Sequence, residues 1–105
     1  MSTFGLYVKF RAHPGQRDAL VAQLLGTAQL AGDAAGCELY IVNTSPTEDD
    51  AVWVTEIWRS RAHHDAALAI EGARASIERT RPLLAGPPEQ IAVVPVGGKG
   101  LAAGP

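Results

Sequence analysis

The chain has 105 residues, a length typical of a single domain, and 47% of them are apolar, which favours a packed globule over a disordered chain. Its formal net charge is −2, and the few basic residues are spread along the sequence. Composition therefore gives no electrostatic case for binding nucleic acid or an anionic membrane.

The sequence also carries signals about the compartment. Residues 1–6 lack the basic start and apolar core of a secretory signal, and no apolar run reaches the length of a membrane span. Cys37 is the sole cysteine, so no intramolecular disulfide is available. We therefore expect a reducing, cytoplasmic location.

The N-terminal third predicts a strand followed by a helix. Residues 6–11 alternate apolar and amphipathic side chains, which is typical of a half-buried strand. Residues 16–31 repeat apolar side chains at helical spacing, and Pro14 suits the first turn of such a helix. Glycines within residues 32–36 end it. The predicted core face of the helix consists of Leu20, Val21, Leu24, Leu25, Ala28 and Ala31.

Two further strands follow as a predicted hairpin. Residues 37–44 and 51–58 are rich in β-branched and aromatic side chains, and the polar residues 45–50 connect them. Both faces of each segment are largely apolar, so we expect the sheet to be covered on both sides.

The C-terminal part predicts an interrupted helical stretch and a last strand. Ser60 is a suitable N-cap for a short helix that ends before a glycine interruption, and a second helix is predicted over residues 73–84. Residues 91–96 are predicted as the fourth strand. Residues 97–105, rich in glycine, are expected to form a flexible or partner-contacting tail.

The predicted order β-α-β-β-α-β is that of a ferredoxin-like α+β fold with an antiparallel sheet, and we expect residues 1–105 to form one domain. The helices suffice for one face of the sheet, whereas Trp53 and Trp58 lie on opposite faces of the third strand. A second copy of the sheet is the simplest cover for the other face. We therefore predict a homodimer through the sheet faces, with Trp53 at the interface.

A set of segments along the chain carries a family resemblance. The segments are residues 36–40 (GCELY), 53–58 (WVTEIW), 62–68 (AHHDAAL) and 81–84 (RPLL). They resemble the antibiotic biosynthesis monooxygenase family, most specifically where the Thr-Glu-Ile-Trp strand precedes a histidine-bearing helix. The resemblance extends from about residue 6 to residue 101 and implies a dimeric α+β barrel of ferredoxin-like subunits.

The resemblance implies several functions. Some members are quinol or anthrone oxygenases that use molecular oxygen without metal, flavin or nicotinamide, which implies that no cofactor is needed here. Related members degrade haem and have a tryptophan that corresponds to Trp58, but residues 73–76, where their histidine ligand would fall, contain no histidine. We predict a cofactor-independent monooxygenase that oxidises a quinol or polycyclic phenol. A non-catalytic binding module for a small aromatic ligand is the alternative, and haem binding is a third possibility.

Three residues are predicted to carry the chemistry: Glu56, Trp58 and His64. Glu56 and Trp58 share strand parity, so they face the same side of the sheet. A carboxylate with a raised pKa at a pocket edge accepts a phenolic proton, although pairing with an arginine or capping a backbone N–H is the structural alternative. His64 is a candidate base or donor to a substrate oxygen, or else a residue that caps or packs at a helix start.

The other polar candidates receive different assignments. His63 points about 100° away from His64 on a helix, so we expect it to be exposed. Leu68 occupies the i+4 position from His64, so no metal site is predicted. Tyr40 and Asn43 lie on opposite faces of the second strand, which would direct one to the pocket and the other to the dimer barrel.

Overall fold

The computed structural model describes residues 3–101. In chain order its elements are β1 (Phe4–Arg11), α1 (Arg17–Gly32), β2 (Cys37–Thr44), β3 (Ala51–Trp58), α2 (Arg61–Ala67), α3 (Ala73–Thr80), a 3₁₀ turn (Arg81–Leu83) and β4 (Glu89–Val93). The bounds of β2 and β3 are those predicted, whereas β1 begins at Phe4 rather than at residue 6.

The four strands form one antiparallel sheet in the order β2-β3-β1-β4. In β1, Leu6 faces Glu56 of β3 on one side and Ala92 of β4 on the other. The pairing of β2 with β3 shifts register between Cys37 and Leu39. This arrangement is the ferredoxin-like α+β fold, as predicted.

The connection from β1 to α1 differs from the prediction. Pro14 lies before the helix and not in its first turn. The Gln16 N–H donates to the His13 carbonyl oxygen at 2.9 Å, which closes a tight turn over residues 13–16. Gly15 has φ +79°, the left-handed value that the third position of a type II turn requires, and proline suits the second position. Pro14 and Gly15 therefore shape a turn, and α1 begins after it.

The main core lies between α1 and one face of the sheet. Its buried members are Leu6, Val8, Ala12, Leu20, Leu24, Val52 and Val54. Burial of each large side chain among them contributes roughly 1.5–3 kcal/mol to folding. The prediction is wrong for Leu25, which is 51% exposed because it follows Leu24 by about 100° around the helix axis.

Two short helices complete the helical layer. Ser60 is the N-cap of α2, as predicted, since its Oγ accepts a hydrogen bond from the His63 N–H at 3.2 Å. Helix α3 ends at Thr80 rather than near residue 84. Pro82 lacks the N–H that another helical turn would require, so the chain continues as a 3₁₀ turn.

The last strand also differs from the prediction. It comprises Glu89–Val93 instead of residues 91–96, and Pro95, which cannot donate a ladder hydrogen bond, lies just beyond its end. Val96 is 97% exposed and belongs to the segment that leaves the sheet. The predicted tail, residues 97–105, lies partly outside the described residues.

The second face of the sheet, called the open face below, is only partly covered within residues 3–101: residues 93–101 line a hollow with Tyr7, Leu39, Thr55 and Ile57. Tyr7, Ile41 and Ile91 lie on it with exposed fractions of 43%, 47% and 55%. Trp53 is half-buried on the same face, and the Lys9 Nζ lies 5.5 Å from its ring centroid. None of the helices in the described part of the chain is long and apolar enough to span a membrane.

Candidate functional site

A cavity of about 610 Å³ lies between the helices and the covered face of the sheet. Most of its wall is apolar and is contributed by all three helices and by the sheet. The residues with polar atoms that line it are Thr27, Tyr40, Glu56, Trp58, His64, Ser76, Thr80, Arg81 and Gln90. An apolar space of this size with a few polar groups is typical of a site for a small organic ligand.

Glu56 and Trp58 form the centre of this site. Both are buried on β3, with exposed fractions of 8% and 2%, and their shared parity places both side chains towards the helices, as predicted. The Trp58 Nε1–H donates to Glu56 Oε1 at 3.0 Å. Glu56 therefore neither pairs with an arginine nor caps a backbone N–H, because its hydrogen-bond partner is the Trp58 indole, two residues along the strand.

The surroundings of Glu56 change its acidity. Burial raises the pKa of the Glu56 carboxyl above its ordinary value, while the Trp58 hydrogen bond and the nearby His64 lower it by a smaller amount. The carboxylate is thus a stronger proton acceptor than one at the protein surface. A raised pKa brings it closer to the pKa of a phenol, which favours proton transfer between the two.

His64 reaches the same cavity from α2. Its ring lies 5.7 Å from the Trp58 ring in an edge-on arrangement and 5.2 Å from the Phe4 ring. Its Nδ1 lies 2.9 Å from Asp65 Oδ1, which orients the imidazole and leaves Nε2 for another partner. The structure therefore brings Glu56, Trp58 and His64 together, as predicted, while Phe4 and Asp65, which were not predicted, contact His64 without lining the cavity.

His63 does not lie in solvent as predicted. It is half-buried, its Nδ1 lies 2.7 Å from Ser60 Oγ, and its ring covers Gly36 so closely that a Cβ at Gly36 would overlap it. Gly36 has φ +84°, a left-handed value that favours glycine, and a side chain there would also clash with the His63 ring. The helical angle correctly separates His63 from His64. However, His63 faces Gly36, the last residue of the α1–β2 connection, and not solvent.

Tyr40 and Asn43 separate to opposite faces, as their spacing predicts. Tyr40 lines the cavity and lies directly across from Glu56 in the β2–β3 ladder. Asn43 lies on the open face, where its Nδ2 donates to Thr55 Oγ1 and to the Trp53 carbonyl oxygen, each at 3.2 Å. Tyr40 thereby joins the candidate site.

A second polar group lines the cavity where α1 meets α3. Ser76 is 1% exposed, and its Oγ lies 2.6 Å from Thr27 Oγ1 and 3.2 Å from Gln23 Nε2. Thr80 donates from its hydroxyl to the Ser76 carbonyl oxygen at 2.9 Å. Sequence reasoning missed this cluster, although the small hydroxyl residues at positions 76 and 80 are one helical turn apart and so share a face.

The arrangement combines a proton acceptor, an imidazole and aromatic walls in a largely apolar space. Such a site can remove a proton from a phenol and stabilise the resulting oxyanion. Within residues 3–101, no three His, Cys, Asp or Glu side chains are grouped as ligands for a metal ion.

Comparison with known proteins gives a consistent family signal. The model of the family described as antibiotic biosynthesis monooxygenase matches residues 3–79. A search of curated proteins gave no match. A protein from Chloroflexus aurantiacus J-10-fl, assigned by name to the same family, is 43% identical, with a TM-score of 0.83 and coverage of 92% of this chain and 96% of that chain.

Two more distant structures share the fold. The NE2512 protein of unknown function from Nitrosomonas europaea is 27% identical with a TM-score of 0.80, and the match covers 99% of this chain and 98% of that chain. A mutant of SnoaB, a cofactor-independent oxygenase from Streptomyces nogalater, is 15% identical with a TM-score of 0.82, and the match covers 94% and 98% of the two chains.

Proposed function

The chain belongs to the antibiotic biosynthesis monooxygenase family, and we propose that it oxidises a quinol or polycyclic phenol with molecular oxygen and without a cofactor. The observation that carries this proposal is the buried Glu56 carboxyl, which the Trp58 indole holds inside an apolar cavity that His64 also lines. The name of SnoaB, which shares the fold, also supports it, since that protein is a cofactor-independent oxygenase.

The proposed reaction needs no external reductant. A quinol and one molecule of oxygen give a hydroxyquinone and one molecule of water. The ring loses four electrons, two as the quinol becomes a quinone and two as a C–H bond becomes C–OH. Those four electrons reduce both oxygen atoms, of which one enters the product and the other leaves as water. The protein therefore has to generate the electron-rich anion and to exclude competing reactions.

Each residue of the site has a proposed role in this reaction. Glu56 accepts the phenolic proton, and the resulting anion passes an electron to oxygen. His64, oriented by Asp65, donates from Nε2 in its protonated form to the oxyanion or to reduced oxygen. Trp58 fixes the Glu56 carboxylate and, with Phe10 and Tyr40, supplies aromatic lining against which a planar ring can pack.

Oxygen uptake on a panel of hydroquinones and polycyclic phenols tests the proposal. Chelator-treated protein should consume oxygen with at least one of them, and the Trp58→Phe/His64→Ala double variant and Glu56→Gln should lose most of that rate. Trp53→Phe, on the opposite face of the same strand, is the matched control and should keep it. Uptake equal in wild type and the double variant for every compound would count against the proposal.

A binding module without turnover is the second candidate. It is favoured by the state of Glu56, whose Oε1 already accepts a hydrogen bond, and by the scarcity of charged groups on the cavity wall. In that case a hydroquinone should raise the thermal midpoint of the protein while its chemical form stays unchanged. The same compounds therefore separate the two functions, because only an oxygenase converts them.

The homodimer through the open sheet face is also part of the proposal, as is a cytoplasmic location consistent with the single thiol, Cys37. The exposed Tyr7, Ile41 and Ile91 form an apolar surface that a second copy of the sheet would cover. Light scattering should give twice the chain mass for wild type, and Ile41→Glu should give the monomer mass. Leu25→Glu, at an exposed position of α1, should leave the dimer intact.

A further inference from the structure

Tyr40 lines the cavity beside Glu56, and the proposed reaction gives its polar group no role. It projects from β2 into the cavity and is the direct cross-strand neighbour of Glu56. Directly opposite residues of antiparallel strands have Cβ atoms roughly 4.5–5.5 Å apart, so the two side chains enter the cavity side by side.

The hydroxyl of Tyr40 is available to a ligand. In the described part of the chain it forms no hydrogen bond, and no buried side-chain oxygen or nitrogen there lacks a partner, so this oxygen has accessible surface. The neighbouring Glu56 carboxylate accepts its hydrogen bond from the Trp58 indole and not from the Tyr40 hydroxyl. No hydrogen bond joins the Tyr40 hydroxyl to the Glu56 carboxylate, so the Tyr40 donor is left for a group that lies between them.

The protonation states of the two groups are complementary. Burial raises the pKa of the Tyr40 phenol well above its ordinary value, and the nearby Glu56 carboxylate and Cys37 raise it further. Tyr40 therefore remains protonated and can donate a hydrogen bond throughout the neutral range. Glu56, when ionised, can only accept one.

We propose that Tyr40 contacts the substrate, donating its O–H to a second ring oxygen while the neighbouring hydroxyl of the same ring donates to Glu56. The site then selects aromatic substrates that carry two oxygens on neighbouring ring positions over those that carry one. This inference rests on the proposed function of the cavity and adds the substrate class. A site built to hydrogen-bond a second oxygen discriminates against the analogue that lacks it.

Two ligands that differ by a single oxygen test this inference. Dissociation constants of 2,3-dihydroxynaphthalene and 2-naphthol are measured by calorimetry under nitrogen, so that no oxidation occurs. Wild-type protein should bind the diol more tightly by roughly five- to tenfold, the value of one hydrogen bond. Tyr40→Phe should remove that preference while its affinity for 2-naphthol stays within about twofold of wild type.

Tyr7→Phe is the matched control, because Tyr7 lies on the open face of the sheet, and it should keep the full preference. A preference for the diol that persists in Tyr40→Phe, or no preference in wild type, would overturn the role of Tyr40. Oxygen uptake by the wild-type protein would still leave the proposed function standing. Failure of wild type to bind either naphthol would overturn the role of Tyr40, and the oxygen-uptake panel then decides the proposed function separately.

Discussion

Replacing Trp58 with phenylalanine should destabilise the protein in a pH-dependent way. The substitution removes the N–H that donates to Glu56 Oε1, and a hydrogen bond to a charged group contributes about 1.5–3 kcal/mol. It also removes about 50 Å² of apolar surface from a side chain that is 2% exposed, worth about 1 kcal/mol at 25 cal/mol per Å². The free energy of unfolding should therefore fall by about 3 kcal/mol at neutral pH.

The pH dependence follows from the carboxyl that loses its partner. The Trp58 hydrogen bond favours the ionised form of Glu56, so its removal raises the pKa of Glu56 further. The deficit of the variant is therefore largest at pH values above the Glu56 pKa. It shrinks as pH falls through that pKa, because the neutral carboxyl of wild type gains less from the indole.

Urea unfolding followed by far-ultraviolet circular dichroism measures this deficit at pH 7.5 and pH 4.5, at one protein concentration so that subunit association does not vary. The thermal midpoint should fall by roughly 10–15 °C at pH 7.5. Trp53→Phe, which lacks a carboxylate partner, should cost much less. A deficit equal to that of Trp53→Phe, or one that is the same at both pH values, would refute the reasoning.

Three further substitutions, of which Gly15→Ala is a control, are tested by the same unfolding measurement. Gly36→Ala combines an unfavourable φ of +84° with overlap of its Cβ and the His63 ring, and should cost about 2–4 kcal/mol. Gly15→Ala, with φ +79° and open space around it, should cost about 1 kcal/mol, and equal losses would contradict the contact argument. Ser76→Ala removes the hydrogen bonds of Ser76 Oγ to Thr27 and Gln23, which keep their bonds to backbone carbonyl oxygens, so it should cost about 1 kcal/mol; a loss below about 0.5 kcal/mol would contradict the role of that cluster.

The sheet was predictable because its signals are local. The strands β2 and β3 have the predicted bounds, since each is a run of β-branched and aromatic residues that ends at turn residues. Parity within β3 then places Glu56 and Trp58 on one face and Trp53 on the other, and the structure bears this out. Period-2 geometry needs no knowledge of distant parts of the chain.

The misplaced features depend on contacts between distant segments. His63 is half-buried because Gly36, from the connection before β2, offers a surface without a side chain. Ser76 is buried because Gln23 and Thr27 of α1 supply hydrogen-bond partners that no local pattern reveals. The hydrogen bond between Trp58 and Glu56 was likewise not predicted. Side chains at i and i+2 of a strand point to the same face, but this does not require them to be in contact.

The proposed function requires the cavity to oxygenate an aromatic ring rather than only to bind it. Turnover of a responsive hydroquinone under ¹⁸O₂, with a chelator present, tests this claim when the product is analysed by mass spectrometry. The proposed reaction predicts a hydroxyquinone that carries one ¹⁸O atom in wild type and little of it in Glu56→Gln. Unlabelled quinone formed at the same rate with and without protein would show autoxidation alone and would contradict the claim.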